Sequence, residues 1–199
     1  MKLNEIRNCC FFTAAALLSV LTSSGQGNLV INGGFAHNAS GWTMTNVDVS
    51  EGGGYDISIG NPPGCVLLYN YSFSVLVPTL SQEINSLTPG TLYIVSGDYM
   101  MEDGKNVTDN SFGVALDSVF LFETKAPADS NWHSFSFDYT AASASVLLSL
   151  SAEINGTDDS YFIDNIAMHA IPEPSIVSFM LLGSGVLIFV RRNKGHFHL

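Results

Sequence analysis

Between residues 28 and 170 the chain runs in short stretches rich in Val, Ile, Leu, Phe, Tyr and Thr, separated by clusters of Gly, Asn, Asp, Ser and Pro. No 3.6-residue period is sustained anywhere in that span, so the pattern is that of strands and turns rather than helices. The strands expected are Asn28 to Ile31, Thr43 to Val49, Val66 to Leu68, Phe73 to Val77, Leu80 to Ile84, Leu92 to Met100, Phe112 to Leu116, Val119 to Glu123, Trp132 to Thr140, Val146 to Ile154 and Tyr161 to Met168. So many short strands in one stretch predict an all-β fold, an antiparallel β-sandwich. Thr88-Pro89-Gly90 has the order of a type II turn, and Asp103-Gly104 and Asn155-Gly156 are hairpin signals. Gly52-Gly53-Gly54 reads as a flexible turn.

Charge separates this middle from the ends. Of 18 acidic residues only Glu5 and Glu173 fall outside residues 28 to 171, whereas Lys105 and Lys125 are the only basic residues within them. A domain this acidic repels phosphate backbones, whose binding rests on Lys and Arg displacing counterions, so nucleic acid is not an expected partner.

The ends are apolar and flanked by cations. Lys2 and Arg7 precede the uncharged run Cys9 to Leu21, which is followed by the small, polar stretch Thr22 to Gly27. This is the order of a secretory signal peptide over residues 1–27. Its apolar run would span about 20 Å as a helix, short of the bilayer core of about 30 Å. Cleavage by signal peptidase would remove Cys9 and Cys10 and leave Cys65 as the one thiol, too few for an internal disulfide or a multi-cysteine zinc site. At the other end, residues 171–199 hold Ile171-Pro172-Glu173-Pro174, an uncharged run over about 175–190, and a basic tail over 191–199 that starts with Arg191-Arg192. The prolines hold the entry extended, the run forms a short transmembrane helix, and the arginines stay in the cytoplasm by the positive-inside rule.

Taken together, Pro172, Glu173 and Pro174, the short apolar helix with Gly183, Ser184 and Gly185, and Arg191 and Arg192 resemble the PEP-CTERM sorting signal. Ile171 stands where that family usually has Val. The resemblance implies a precursor that crosses the inner membrane transiently with its domain outside the cytoplasm. It further implies processing by exosortase and a final place at the cell surface or in an exopolysaccharide matrix.

Four segments of the middle, in order, resemble the carbohydrate-binding-module and galactose-binding-like jelly-roll group. They are Asn28-Leu-Val-Ile-Asn-Gly-Gly-Phe35 with Gly41-Trp42; Leu80-Ser-Gln-Glu-Ile84 with Leu87-Thr-Pro-Gly-Thr-Leu-Tyr93; Trp132-His-Ser-Phe-Ser-Phe137; and Tyr161-Phe-Ile-Asp-Asn-Ile166. The resemblance implies a jelly-roll sandwich, non-catalytic glycan binding, and a structural calcium held in part by an Asp of the last strand. Asp164 occupies that position, while Ala36 stands where a second acidic ligand is common. Asp164 is therefore either a calcium ligand or an acceptor for backbone amides; no other cofactor is expected.

A sugar site needs aromatic faces with polar groups beside them. Tyr69 and Tyr71 alternate with small polar residues and are the ligand-binding candidates, on either a wet edge or the core. His133, Phe135, Phe137 and Tyr139 alternate with Ser134, Ser136 and Asp138, with the rings expected inward; Trp42 is expected in the core. A glycosidase would need two carboxylates about 5 to 10 Å apart across a cleft, and the acidic pairs Glu102-Asp103 and Asp158-Asp159 both sit in turn contexts. Neither a Gly-x-Ser-x-Gly elbow nor a His-Glu-x-x-His motif is present. The expectation is a non-enzymatic envelope protein that binds glycan, with a structural or adhesive protein as the second reading and a glycan hydrolase as the third.

Overall fold

The computed structural model describes residues 27–69, 76–102, 110–125, 129–153 and 160–172. Ten strands are present among them: β1 Thr43–Thr45, β2 Gly54–Gly60, β3 Pro63–Leu68, β4 Thr79–Asn85, β5 Leu92–Met101, β6 Ser111–Leu116, β7 Val119–Lys125, β8 His133–Thr140, β9 Ser145–Glu153 and β10 Tyr161–Ala170. They form two antiparallel five-stranded sheets, one in the order β1-β4-β9-β6-β7 and the other β2-β3-β10-β5-β8. Alternation builds the core between them. Leu80 and Ile84, Leu148 and Leu150, and Phe112, Val114 and Leu116 line the first sheet, facing Tyr93, Val95, Tyr99, Phe135, Tyr161 and Ile163 from the second. The rings of Tyr99, Phe112, Phe122 and Phe135 meet at centroid distances of 4.8 to 6.3 Å, within the range of favourable aromatic pairs.

Most expected strands are present, within one to three residues. Asn28 to Ile31 is a correction: it forms no strand, because one side chain does the work of a ladder. Asn28 Oδ1 accepts from the Met168 and Val30 amides, its Nδ2 donates to the Ile166 carbonyl, and the Leu29 amide donates to the Met168 carbonyl. The segment thus docks on β10 where that strand bulges, at Asn165 with φ of 54°, a conformation that Asn tolerates better than most residues. Gly33 follows from the same docking, since a Cβ there would lie 1.9 Å from the Ile166 carbonyl oxygen.

Thr43 to Val49 stops at Thr45, where Asn46 turns to a φ of 57°. Asp48 then caps the single 3-10 turn Val49–Glu51 by accepting from the Ser50 amide. Gly54 opens β2 rather than closing a turn, so Gly54–Gly60 is a strand hidden by the glycines at its ends. Leu76 and Val77 lie outside any strand, and residues 73–75 lie outside the described residues. The type II turn is present: Gly90 has φ of 84° and the Thr91 amide donates to the Thr88 carbonyl. The 103–104 and 155–156 turn signals lie outside the described residues, as do both apolar ends apart from Gly27, Ile171 and Pro172.

Candidate functional site

The two sheets present very different outer faces. On the second sheet the outward residues of β3 and of the start of β10 are covered. Cys65, Leu67 and Phe162 are buried there, with Ile59, Tyr69, Met100 and Trp132 packed against them. Tyr69 is only half-exposed and contributes to this apolar cluster; Tyr71 lies outside the described residues. Burial, together with the charges of Asp56 and Asp164, pushes the Cys65 thiol up to about 12, which leaves it protonated and unreactive.

Asp164 lies on the same face, with no solvent exposure. One carboxylate oxygen accepts from the Asn61 amide and the other from the Asn165 amide, both at 2.7 Å. Asn165 Nδ2 donates to the Asn61 carbonyl and to Asp98, which also accepts from Ser134 Oγ at 2.7 Å. Burial raises the Asp164 carboxyl above its ordinary value; the two amides oppose this and the Asp98 charge adds to it. Calcium takes six to eight oxygen ligands. Here the carboxylate is aimed at two N–H donors, Ala36 supplies no oxygen from its side chain, and no group of three or more His, Cys, Asp or Glu able to hold a metal exists among the described residues. The surroundings of Asp164 therefore suit a bracket for the Asn61 turn.

The first sheet is open. Because Leu80, Leu148, Leu150, Val114 and Leu116 point inward, their strand neighbours point out, and the register lines these up in rows. Thr43, Ser81, Ser149, Ala115 and Phe120 stand side by side; Thr45, Thr79, Ser151, Gly113 and Glu123 form the next row. Beyond it come Glu153, Ser111 and Lys125, and on the opposite flank Glu83 pairs with Leu147. Phe120 is 56% exposed. It lies across Gly113, where a Cβ would come within 2.7 Å of it, so the glycine seats the ring on the sheet. At the Glu83 end a shallow pocket of about 400 Å³ is lined by Glu83, Asp117, Ser143, Ser145, Val146 and Leu147. The turn beside it is a two-residue hairpin loop, Asp117-Ser118, with φ of 48° and 67°. Asp117 Oδ1 holds it by accepting from the Leu147 amide at 2.9 Å. This face combines one open aromatic ring, a floor of hydroxyls and flanking carboxylates, the groups that stack on sugar rings and bond their hydroxyls.

Sequence reasoning did not single out Phe120. Val119-Phe-Leu-Phe122 is unbroken apolar sequence, which reads as a buried strand; the strand lies at a sheet edge instead, and Val119, Phe120 and Leu121 are exposed. The other aromatic expectations read differently. Phe135 is buried and Phe137 packs on the core, with Ser134 and Ser136 exposed. Trp42 sits in the core against Phe35, its Nε1 donating to the Asn32 carbonyl. Glu102 is exposed and accepts from Ser160 Oγ; Asp103, Asp158 and Asp159 lie outside the described residues. Of the sorting residues, Pro172 is exposed, and Glu173, Pro174, Arg191 and Arg192 lie outside the described residues.

No family model matches the chain, and no curated protein matches it. Solved structures do. TmCBM61 in complex with beta-1,4-galactotriose is similar at 16% identity and a TM-score of 0.56, over 72% of this chain and 98% of that one. The CBM22-1 xylan-binding domain of Paenibacillus barcinonensis Xyn10C gives 14% identity and a TM-score of 0.52, over 76% of this chain and 99% of that one. The enzymatically active domain of bacteriophage CBA120 tailspike protein 4 is similar at 17% identity and a TM-score of 0.51 over 72% of this chain, which covers only 21% of the tailspike chain. At these identities the likeness is one of fold: the domain is a β-sandwich of the carbohydrate-binding-module type, a fold found here both in binding modules and in a larger enzyme chain.

Proposed function

We propose that this protein is an exported, non-catalytic envelope protein that binds a glycan, such as the exopolysaccharide of its matrix, on the outer face of its first sheet. The observation that carries this reading is the open Phe120 ring seated on Gly113 beside rows of Ser and Thr hydroxyls. The similarity in fold to modules described as xylan-binding and as complexed with galactotriose supports it. Affinity electrophoresis of the full-length chain in the organism's own exopolysaccharide tests it. Retardation that is lost in Phe120→Ala is the expected result, and unchanged mobility in every polymer tried overturns it.

One observation favours a second reading, a structural or adhesive surface protein without a sugar site: Tyr69 packs into an apolar cluster and offers no fully open ring. Persistence of matrix attachment in Phe120→Ala would favour that reading. The destination rests on the sequence. Residues 1–27 direct export, and Pro172, Glu173 and Pro174 with Arg191 and Arg192 form the sorting signal. Arginines cost about 2.5–3.5 kcal/mol each at the centre of a membrane helix, which holds the carboxyl end in the cytoplasm until exosortase cuts. Mass spectrometry of surface fractions should find a carboxyl terminus near Pro172. Recovery of chains ending at Leu199 would overturn processing and leave the anchor.

A further inference from the structure

Carboxylates flank the Phe120 face on several sides. Glu83 and Asp117 line the pocket at one end of it, and Glu123 stands in the row next to Phe120. Glu153 lies beyond, across Ser111 from Lys125, the only cationic side chain in these rows. Neighbouring strands are about 4.8 Å apart, so Glu83 and Asp117 flank Leu147 at a separation of about 10 Å, wide enough to face successive groups of one polymer. All four carboxylates are on exposed residues. A polyuronate or sulfated chain laid on Phe120 would meet them as like charges, and a neutral chain would gain hydrogen bonds from them but no charge attraction.

Resting on the glycan reading above, we propose that the polymer bound across the Phe120 face carries free amino groups, as a partly or wholly deacetylated amino-sugar chain does. The ring stacks on one sugar face, the Ser81, Ser149 and Ser151 hydroxyls bond the sugar hydroxyls, and protonated amines sit beside Glu83, Glu123 and Asp117. Complementarity of this kind is long-ranged and screened by salt, unlike stacking.

The test pairs ligands that differ only in that charge: β-1,4-linked glucosamine oligosaccharides and their fully N-acetylated counterparts, titrated against the full-length chain at neutral pH. The expected result is about tenfold tighter binding of the amino form at low salt, since each exposed charge contact is weak and several act together. The preference should vanish in the Glu83→Gln, Glu123→Gln double variant and fade at high salt, while Phe120→Ala weakens both ligands. Equal binding of the two, or preference for the acetylated or a uronic acid chain, overturns the amino-sugar assignment and leaves the glycan reading standing. No binding of any glycan overturns both. A thermal melt matching the parent chain confirms that the variants are folded.

Discussion

The two outer faces of the sandwich are made by the same rule and end in opposite environments. Both place every second residue of their strands outward, yet Cys65, Leu67 and Phe162 are buried on one face, while Phe120 and Leu147 stand 56% and 42% exposed on the other. The difference lies in what the rest of the chain does. Over the second sheet, the Asn61 turn is pinned to Asp164, and Tyr69 and Trp132 close on the apolar row. Over the first, the outward residues apart from Phe120 and Leu147 are mostly small, hydroxylated or acidic, with less apolar area to reward a covering segment. The covered part of one face contributes to stability, and the other face is left open to solvent.

Substitutions on the two faces should therefore separate stability from binding. Phe162→Ala should have the largest effect, a loss of about 3–5 kcal/mol in denaturant unfolding, since it opens a cavity under a covered face. Smaller, but still substantial, is Gln82→Ala. Gln82 is buried, its Oε1 accepts from the Ile31 amide and its Nε2 donates to the Ile31 and Gly41 carbonyls. Orphaning these backbone groups should cost about 1–3 kcal/mol and loosen the amino-terminal segment, visible as faster hydrogen exchange at Ile31.

The Asp164 bracket makes a pH prediction. Its folded value is raised above 3.8 by burial, so the folded state holds the proton longer than the unfolded chain does. Stability drawn from this group is greatest when it is protonated and declines as pH rises from 3.8 to the raised value. Asp56, lowered by its Ser58 hydrogen bonds, acts in the opposite direction, but it is common to the parent and to Asp164→Asn. The difference in melting temperature between the two should therefore move against the parent as pH rises through that window. A difference independent of pH would show that the bracket does not titrate on folding.

The smallest stability effect belongs to Phe120→Ala, expected within about 0.5 kcal/mol of the parent because the ring is exposed. That variant should nonetheless lose glycan retention. A large loss of stability there would mean that the ring is a packing element, and the contrast between the faces would collapse.

Three of the four segments that pointed to the fold hold, in the structure, side chains that pin backbone to backbone. Asn28 and Gly33 dock the first segment on β10, Gln82 clamps it from β4, Tyr93 Oη accepts from the Thr88 amide at 2.9 Å, and Asp164 holds the Asn61 turn. These residues were legible because buried backbone groups must be satisfied, and the side chains that satisfy them stand at fixed places in the sequence. The proposed binding face was not legible for the complementary reason: Ser81, Ser149 and Ser151 are what any solvated strand shows, and Tyr69 looked more like a platform than Phe120 did.

Alternation and turn chemistry, which act over a few residues, determined from sequence alone that this chain folds as antiparallel strands, and the lopsided charge determined that its domain is acidic. Strand order was decided only in three dimensions. Whether Val119-Phe-Leu-Phe122 is buried depends on β7 lying at an edge and not between two neighbours. Whether Cys65 and Leu67 are buried on their outward side depends on a turn and rings brought over them from elsewhere in the chain. Side-chain direction is a local property of the backbone, whereas exposure depends on everything that packs above it.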